Sequence, residues 1–199
     1  MSDSKHRTAS ESRKTRETDI TLSLDLDGSG QVATATGVGF LDHMLDLLGK
    51  HAQFDLDIRA SGDIQVDAHH TVEDVGICLG KALATALGDK AGICRFAFAS
   101  VPMDEALAEV SLDISGRPFV VFDVTFLTEK TGEFDAQLTE EFLRGLSVHA
   151  GLTLHVRVPY GRNTHHIVEA IFKALARALR TAVAIDPGVQ GVPSTKGTL

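Results

Sequence analysis

His69-His70-Thr71-Val72-Glu73 and His165-His166-Ile167-Val168-Glu169 are two copies of one motif, and reading them together decides the fold. Each copy opens a segment with helical periodicity. On a helix, His69 and Glu73 stand four residues apart on one face, where they can share an ion; His165 and Glu169 repeat the arrangement. The second histidine of each pair points about 100° away and is free to serve a different ion. Two matched clusters of this kind predict a two-metal site.

The flanks of the motifs also correspond. From about Lys14 to Ile93 the chain reads as a strand (Ile20, Leu22, Leu24, Leu26), a turn at Asp27-Gly28-Ser29-Gly30, a helix over Phe40–Leu48 and a strand at Phe54–Ile58. A helix through Val75, Leu79, Leu83 and Leu87 follows, ended by Gly88. The second half has strands near Arg95–Val101, Ala108–Asp113 and Phe119–Phe126, a helix from about Thr139 to Ala150 and a strand at Leu152–Arg157. Its last helix runs through Ile171, Leu175, Leu179 and Val183 to Pro187 and Gly188. The expected fold class is α+β: an internal duplication of a β-β-α-β-α unit, with two small sheets and helices packed between them. Residues 1–13 are expected as a flexible tail, 14–93 and 94–188 as half-repeats of one compact domain, and 189–199 as a C-terminal tail.

With 199 residues, 43% hydrophobic and 23% charged, the chain suits one compact domain. It has no apolar run of about 18 residues, so no membrane span is expected. Met1–Arg16 is polar and lacks the apolar core of a secretory signal. Cys78 and Cys94 lie among apolar residues, which fits a reduced, cytoplasmic setting. The net charge of -8 argues against a nucleic-acid partner. A small anionic substrate remains compatible, because a local basic pocket can sit in an acidic protein.

Five blocks resemble the imidazoleglycerol-phosphate dehydratase family: GFLDHMLDLLGKH (39–51), DAHHTVEDVGICLGKAL (67–83), SVPMDEALAEVSLDISGRPF (100–119), RNTHHIVEAIFKALARAL (162–179) and PSTKG (193–197). The resemblance implies a lyase of histidine biosynthesis that removes water from D-erythro-imidazoleglycerol phosphate to give imidazoleacetol phosphate. It also implies two Mn2+ ions per active site. Assembly into a shell of about two dozen copies, with sites built between subunits, is implied as well.

On that resemblance, ion one takes His69, Glu73 and His165, and ion two takes His43, His70, His166 and Glu169. Many members carry a histidine where this chain has Glu141; here either the carboxylate ligates or the ion has a different set of ligands, and His149 is a weaker substitute. Arg95, Arg117, Ser194, Thr195 and Lys196 would bind phosphate, which needs fixed charge and donors; that makes 189–199 a phosphate-binding tail. Glu17 and Glu169 are the expected proton carriers, with His43 and Lys173 beside them and His51 and Asp104 supporting substrate binding. Two bland readings stand beside these: Lys173 as a helix salt bridge to Glu169, and Glu17 as a solvated residue of the first strand. The hydrogen to be removed is not acidic and hydroxide leaves poorly, so a Lewis-acid metal suits the reaction. Two other classes fit the motifs: a two-metal hydrolase acting on a small phosphorylated molecule, and a non-catalytic metal-storage shell.

Overall fold

Ile20, Leu22 and Leu24 alternate with polar neighbours along Thr18–Asp25, and the strand they form buries one face and exposes the other. The computed structural model describes residues 6–199. The first half runs β1 (Thr8–Lys14), β2 (Thr18–Asp25), β3 (Val32–Ala35), α1 (Gly39–Ala52), β4 (Asp55–Gly62) and α2 (His69–Leu87). The second runs β5 (Phe96–Met103), β6 (Ala106–Asp113), β7 (Phe119–Asp123), a short hairpin β8–β9 (Lys130–Thr131, Phe134–Asp135), α3 (Leu138–Ala150), β10 (Thr153–Tyr160) and α4 (Thr164–Val183).

The two sheets have the same topology, β1-β2-β4-β3 and β5-β6-β10-β7. In each, the last strand pairs in parallel and the others are antiparallel. The duplicated α+β architecture is therefore as expected; three strands of each four-stranded sheet precede the first helix of its half, as read in the second half, and β1 and β3 are the additions in the first. Helices α1 and α2 lie on the first sheet, α3 and α4 on the second, and they meet in the middle as the pairs α2–α3 and α1–α4. One continuous core results, and helices from both halves line it.

The expected tail needs correction, because Thr8–Arg13 belongs to β1. The inward positions of that strand are Ala9, Glu11 and Arg13, so only one is apolar and no hydrophobic alternation is visible. Arg13 instead reaches the buried Asp74 of α2 at 2.8 Å. An inward-facing charge on an edge strand blocks edge-to-edge pairing. The far tail is not loose either: Gly92 N–H donates to Gly191 O and Arg95 donates to Pro193 O, each at about 2.7–2.8 Å, tying the C-terminus to the start of the second half.

The α2–α3 crossing depends on glycine. A Cβ on Gly76 would stand 2.5 Å from Phe142 O, and one on Gly80 would stand 2.6 Å from Leu146 O. The backbones can approach this closely only without those side chains. Gly76→Ala should therefore cost about 1–3 kcal/mol by overpacking, although alanine is the better helix former. Chemical denaturation checks this, and an unchanged midpoint would refute the contact argument.

Candidate active site

Both His-His pairs sit in the first turn of a helix, where an upstream side chain takes up the backbone N–H of the first histidine: the N-cap Asn163 at α4, and Asp67, one residue before the N-cap Ala68, at α2. Asp67 Oδ1 accepts from His69 N at 2.8 Å, and Asn163 Oδ1 accepts from His165 N at 2.9 Å. The rings of each pair are nearly perpendicular, at 86° and 84°, so the two histidines do face different directions as the helical spacing demanded.

The pairing of α1 with α4 then creates the densest cluster. His43 from α1 and His165 and Glu169 from α4 bring one ligand atom each within 4.8 Å of one another. Glu169 is 7% exposed; its Oε2 lies 3.2 Å from His165 Nε2 and 3.7 Å from His43 Nε2, while its Oε1 accepts from Lys173 Nζ at 2.6 Å. Burial pushes the Glu169 carboxyl up, but Lys173 and the histidines outweigh it and hold the pKa below the usual carboxylate range. The Lys173–Glu169 salt bridge weighed above is present, and it belongs to this cluster.

His69 Nε2 lies 3.8 Å from Glu73 Oε2, and His69 lines the same cavity of about 990 Å³ as His43 and His165. Within one chain His165 therefore lies beside His43 and Glu169, while His69 lies beside Glu73. Glu141, partly exposed on α3, occupies in the second half the position that His43 holds in the first. His149 Nδ1 donates to Gly145 O of its own helix, 3.0 Å away.

Atoms bound about 2.0–2.2 Å from one cation lie roughly 3–3.5 Å apart. The Nε2-to-carboxylate separations in these clusters run from 3.2 Å, where His165 and Glu169 hydrogen-bond, to 3.8 Å, so a small inward shift of the longer pairs would bring them to that spacing. Imidazole and carboxylate donors together fit Mn2+, Zn2+ or Fe2+.

The remaining expected residues fall into two places. Glu17 is not in a strand: it sits in the β1–β2 turn, with Oε2 3.9 Å from His70 Nε2. Asp104, in the β5–β6 turn, has Oδ2 3.7 Å from His166 Nε2. His51, in the last turn of α1, is half-buried, and its pKa is lowered by burial and by Lys173 and Arg177. The phosphate candidates lie elsewhere. Arg95 is held by Asp113 at 2.7 Å, stacks over Phe96 at 4.4 Å and reaches Pro193 O. Arg117 O accepts from Thr153 Oγ1, and Ser194, Thr195 and Lys196 follow Pro193.

Thr153 begins β10 and Tyr160 ends it, four residues before α4 opens. The strand's eight residues separate the arginines from His165 by about 25 Å. Helix α4 gives the same figure independently, because Arg95 N donates to Ala182 O near its far end.

Two carboxylates were missed in the sequence. Asp63 contacts His70 Nδ1 at 3.1 Å, and Glu105 contacts His166 Nδ1 at 2.7 Å. Glu105 also accepts from Arg162 N and Asn163 N, and with His166 these hold its pKa down at about 2.

A family model described as imidazoleglycerol-phosphate dehydratase matches residues 36–179. Imidazoleglycerol-phosphate dehydratase of Alkaliphilus metalliredigens is 61% identical over 187 residues, covering 94% of this chain and 96% of that one. The Methylorubrum extorquens protein of the same name is 58% identical, covering 97% and 100%. The crystal structure of the Staphylococcus aureus enzyme superposes with a TM-score of 0.82 at 41% identity, covering 90% and 99%. That of the Pyrococcus furiosus enzyme, in complex with (S)-C348, gives 0.83 at 39%, covering 95% and 100%. Fold, site and relatives together define a dehydratase, a hydro-lyase acting in histidine biosynthesis. The chain belongs to the imidazoleglycerol-phosphate dehydratase family.

Proposed function

We propose that the chain converts D-erythro-1-(imidazol-4-yl)glycerol 3-phosphate to 3-(imidazol-4-yl)-2-oxopropyl phosphate, with two Mn2+ ions per site and with each site shared between copies of the chain. The convergence of His43, His165 and Glu169 carries this reading. His69 and Glu73 with Glu141, and His70 and His166, are the further ligands. Bound metal would supply Lewis acidity that eases loss of the ring N–H proton, and the deprotonated ring is the better electron source for expelling hydroxide.

The reaction removes the hydroxyl from the ring-attached carbon and a proton from its neighbour; the resulting enol takes a proton at the ring-attached carbon, gives up its hydroxyl proton and becomes the ketone. Glu169, kept ionised by Lys173, and Glu17, on the exposed turn, are the proton carriers. Arg95, Arg117, Ser194, Thr195 and Lys196 grip the phosphate, and His51 and Asp104 contact the rest of the substrate. One chain separates its arginines from its histidine cluster by about 25 Å, too far for one three-carbon substrate to touch both. A neighbouring copy must bring the phosphate grip to the metals, which supports self-association into a large homo-oligomer. Among the described residues, no helix is long and apolar enough to cross a membrane.

The test is incubation of Mn2+-loaded protein with the substrate, following the enolised ketone by ultraviolet absorbance. Ketone formation is expected. Free phosphate in its place would favour a two-metal hydrolase, and neither product a storage shell.

A further inference from the structure

We propose that Asp63 and Glu105 are positioning residues that hold His70 and His166 with Nε2 turned toward the metal, and that the duplicated halves have divided one ancestral task between different residues. The inference rests on the metal-binding reading above.

The two β-hairpins that open the halves are equivalent. Thr15 and Thr18 close the first turn around Arg16-Glu17, and Met103 and Ala106 close the second around Asp104-Glu105. Glu17 and Glu105 therefore occupy the same turn position. Their carboxylates nevertheless meet opposite sides of the histidine each faces. Glu105 Oε2 is bound to His166 Nδ1 at 2.7 Å, whereas Glu17 Oε2 stands 3.9 Å from His70 Nε2, on the ring edge that would face an ion.

Asp63 accounts for the difference. It follows β4 directly and contacts His70 Nδ1 at 3.1 and 3.2 Å, doing for the first half what Glu105 does for the second. The residue in its place after β10 is Gly161. A Cβ there would lie 2.7 Å from Ile167 Cγ1 and 3.1 Å from Ala106 Cβ, so the second half has no room for an anchoring side chain. Its hairpin glutamate takes the duty, helped by Asp104, whose left-handed φ of 47° shapes the turn. In the first half Asp63 relieves Glu17 of that duty, and Glu17 stays exposed and available for proton transfer. A carboxylate on the far nitrogen of a ligating histidine selects the tautomer, fixes the ring and raises its basicity.

The experiment is Mn2+ titration calorimetry on the full-length protein, unmodified and with Asp63→Ala, Asp63→Asn, Glu105→Ala and Glu105→Gln. Asp63→Ala is expected to weaken one class of Mn2+ site by about 10–100-fold, with Asp63→Asn intermediate because its amide oxygen still accepts from Nδ1–H. Circular dichroism of the metal-free proteins should be unchanged. The Glu105 series should behave likewise at the other ion. Glu105→Ala also strips the acceptor from two backbone amides and can unseat the turn. Among the described residues the Asp63 carboxylate bonds to His70 alone, so its series decides the matter if Glu105→Ala fails to fold. Unmodified affinity in folded Asp63→Ala overturns the inference. Failure of the unmodified protein to bind Mn2+ would instead overturn the metal reading beneath it.

Discussion

Glu169→Gln is expected to lower turnover by about 10²–10⁴-fold, the range a positioned proton carrier contributes. The carboxylate is almost fully buried and serves three partners at once: Lys173 at 2.6 Å, His165 at 3.2 Å and His43 at 3.7 Å. Glutamine keeps the shape and one acceptor oxygen. It loses the charge that balances Lys173 and attracts a cation, and it cannot carry a proton away. Lys173, itself mostly buried, is left as an uncompensated charge, which adds a stability cost. Steady-state kinetics on the Mn2+-loaded variant checks the prediction; a loss smaller than tenfold would remove Glu169 from the chemistry. The bland alternative, a helix salt bridge and nothing more, predicts a change in melting temperature without a change in kcat.

Removing the metal should abolish activity and also shrink the particle. The arginines and the histidine cluster occupy opposite ends of the second sheet, about 25 Å apart, so on the proposed reading a complete site draws on two copies. Ions held at that junction contribute binding free energy to association as well as to folding. Chelation followed by light scattering should show a smaller species that regrows when Mn2+ is restored; a particle of unchanged size after complete metal removal would sink the idea. Acid should imitate the chelator. Asp63 raises the pKa of His70 and Glu105 raises that of His166, so both take up protons above the ordinary histidine range. A protonated ring has no lone pair to offer, and Mn2+ affinity should begin to fall, as pH drops, above the ordinary histidine range. For the metal-free chain the sign reverses. A raised folded pKa contributes stability that is complete below the unfolded value and is lost as pH rises through the folded one.

The helices, the duplication and the family were legible because their signals are local and repeated: two HHxxE motifs at helix spacing, with matched flanks. The same rule of spacing put His69 with Glu73 and His165 with Glu169. What stayed hidden is what depends on packing between elements. The resemblance groups His43 with Glu169, but that His165 lies with them follows from α1 packing against α4, and no spacing along the chain encodes that. Glu105 reaches His166 across 61 residues. Asp63 is only seven residues from His70, yet the contact needs the bend from β4 into α2. Strand β1 escaped notice because its inward face carries Glu11 and Arg13 where apolar residues would have announced it. The roles of Asp67 and Asn163 at the helix starts could have been read, since each precedes a His-His pair by two residues.

The way the helices cross the line of duplication has a historical reading. A half-length chain with this topology would leave the faces of its two helices bare, and could persist only as a symmetric pair of identical molecules. Symmetry would then forbid any difference between its two metal positions. Fusing the copies into one polypeptide abolishes that prohibition. His43 in one half can become Glu141 in the other, and Asp63 can become Gly161, without either change being forced on its twin.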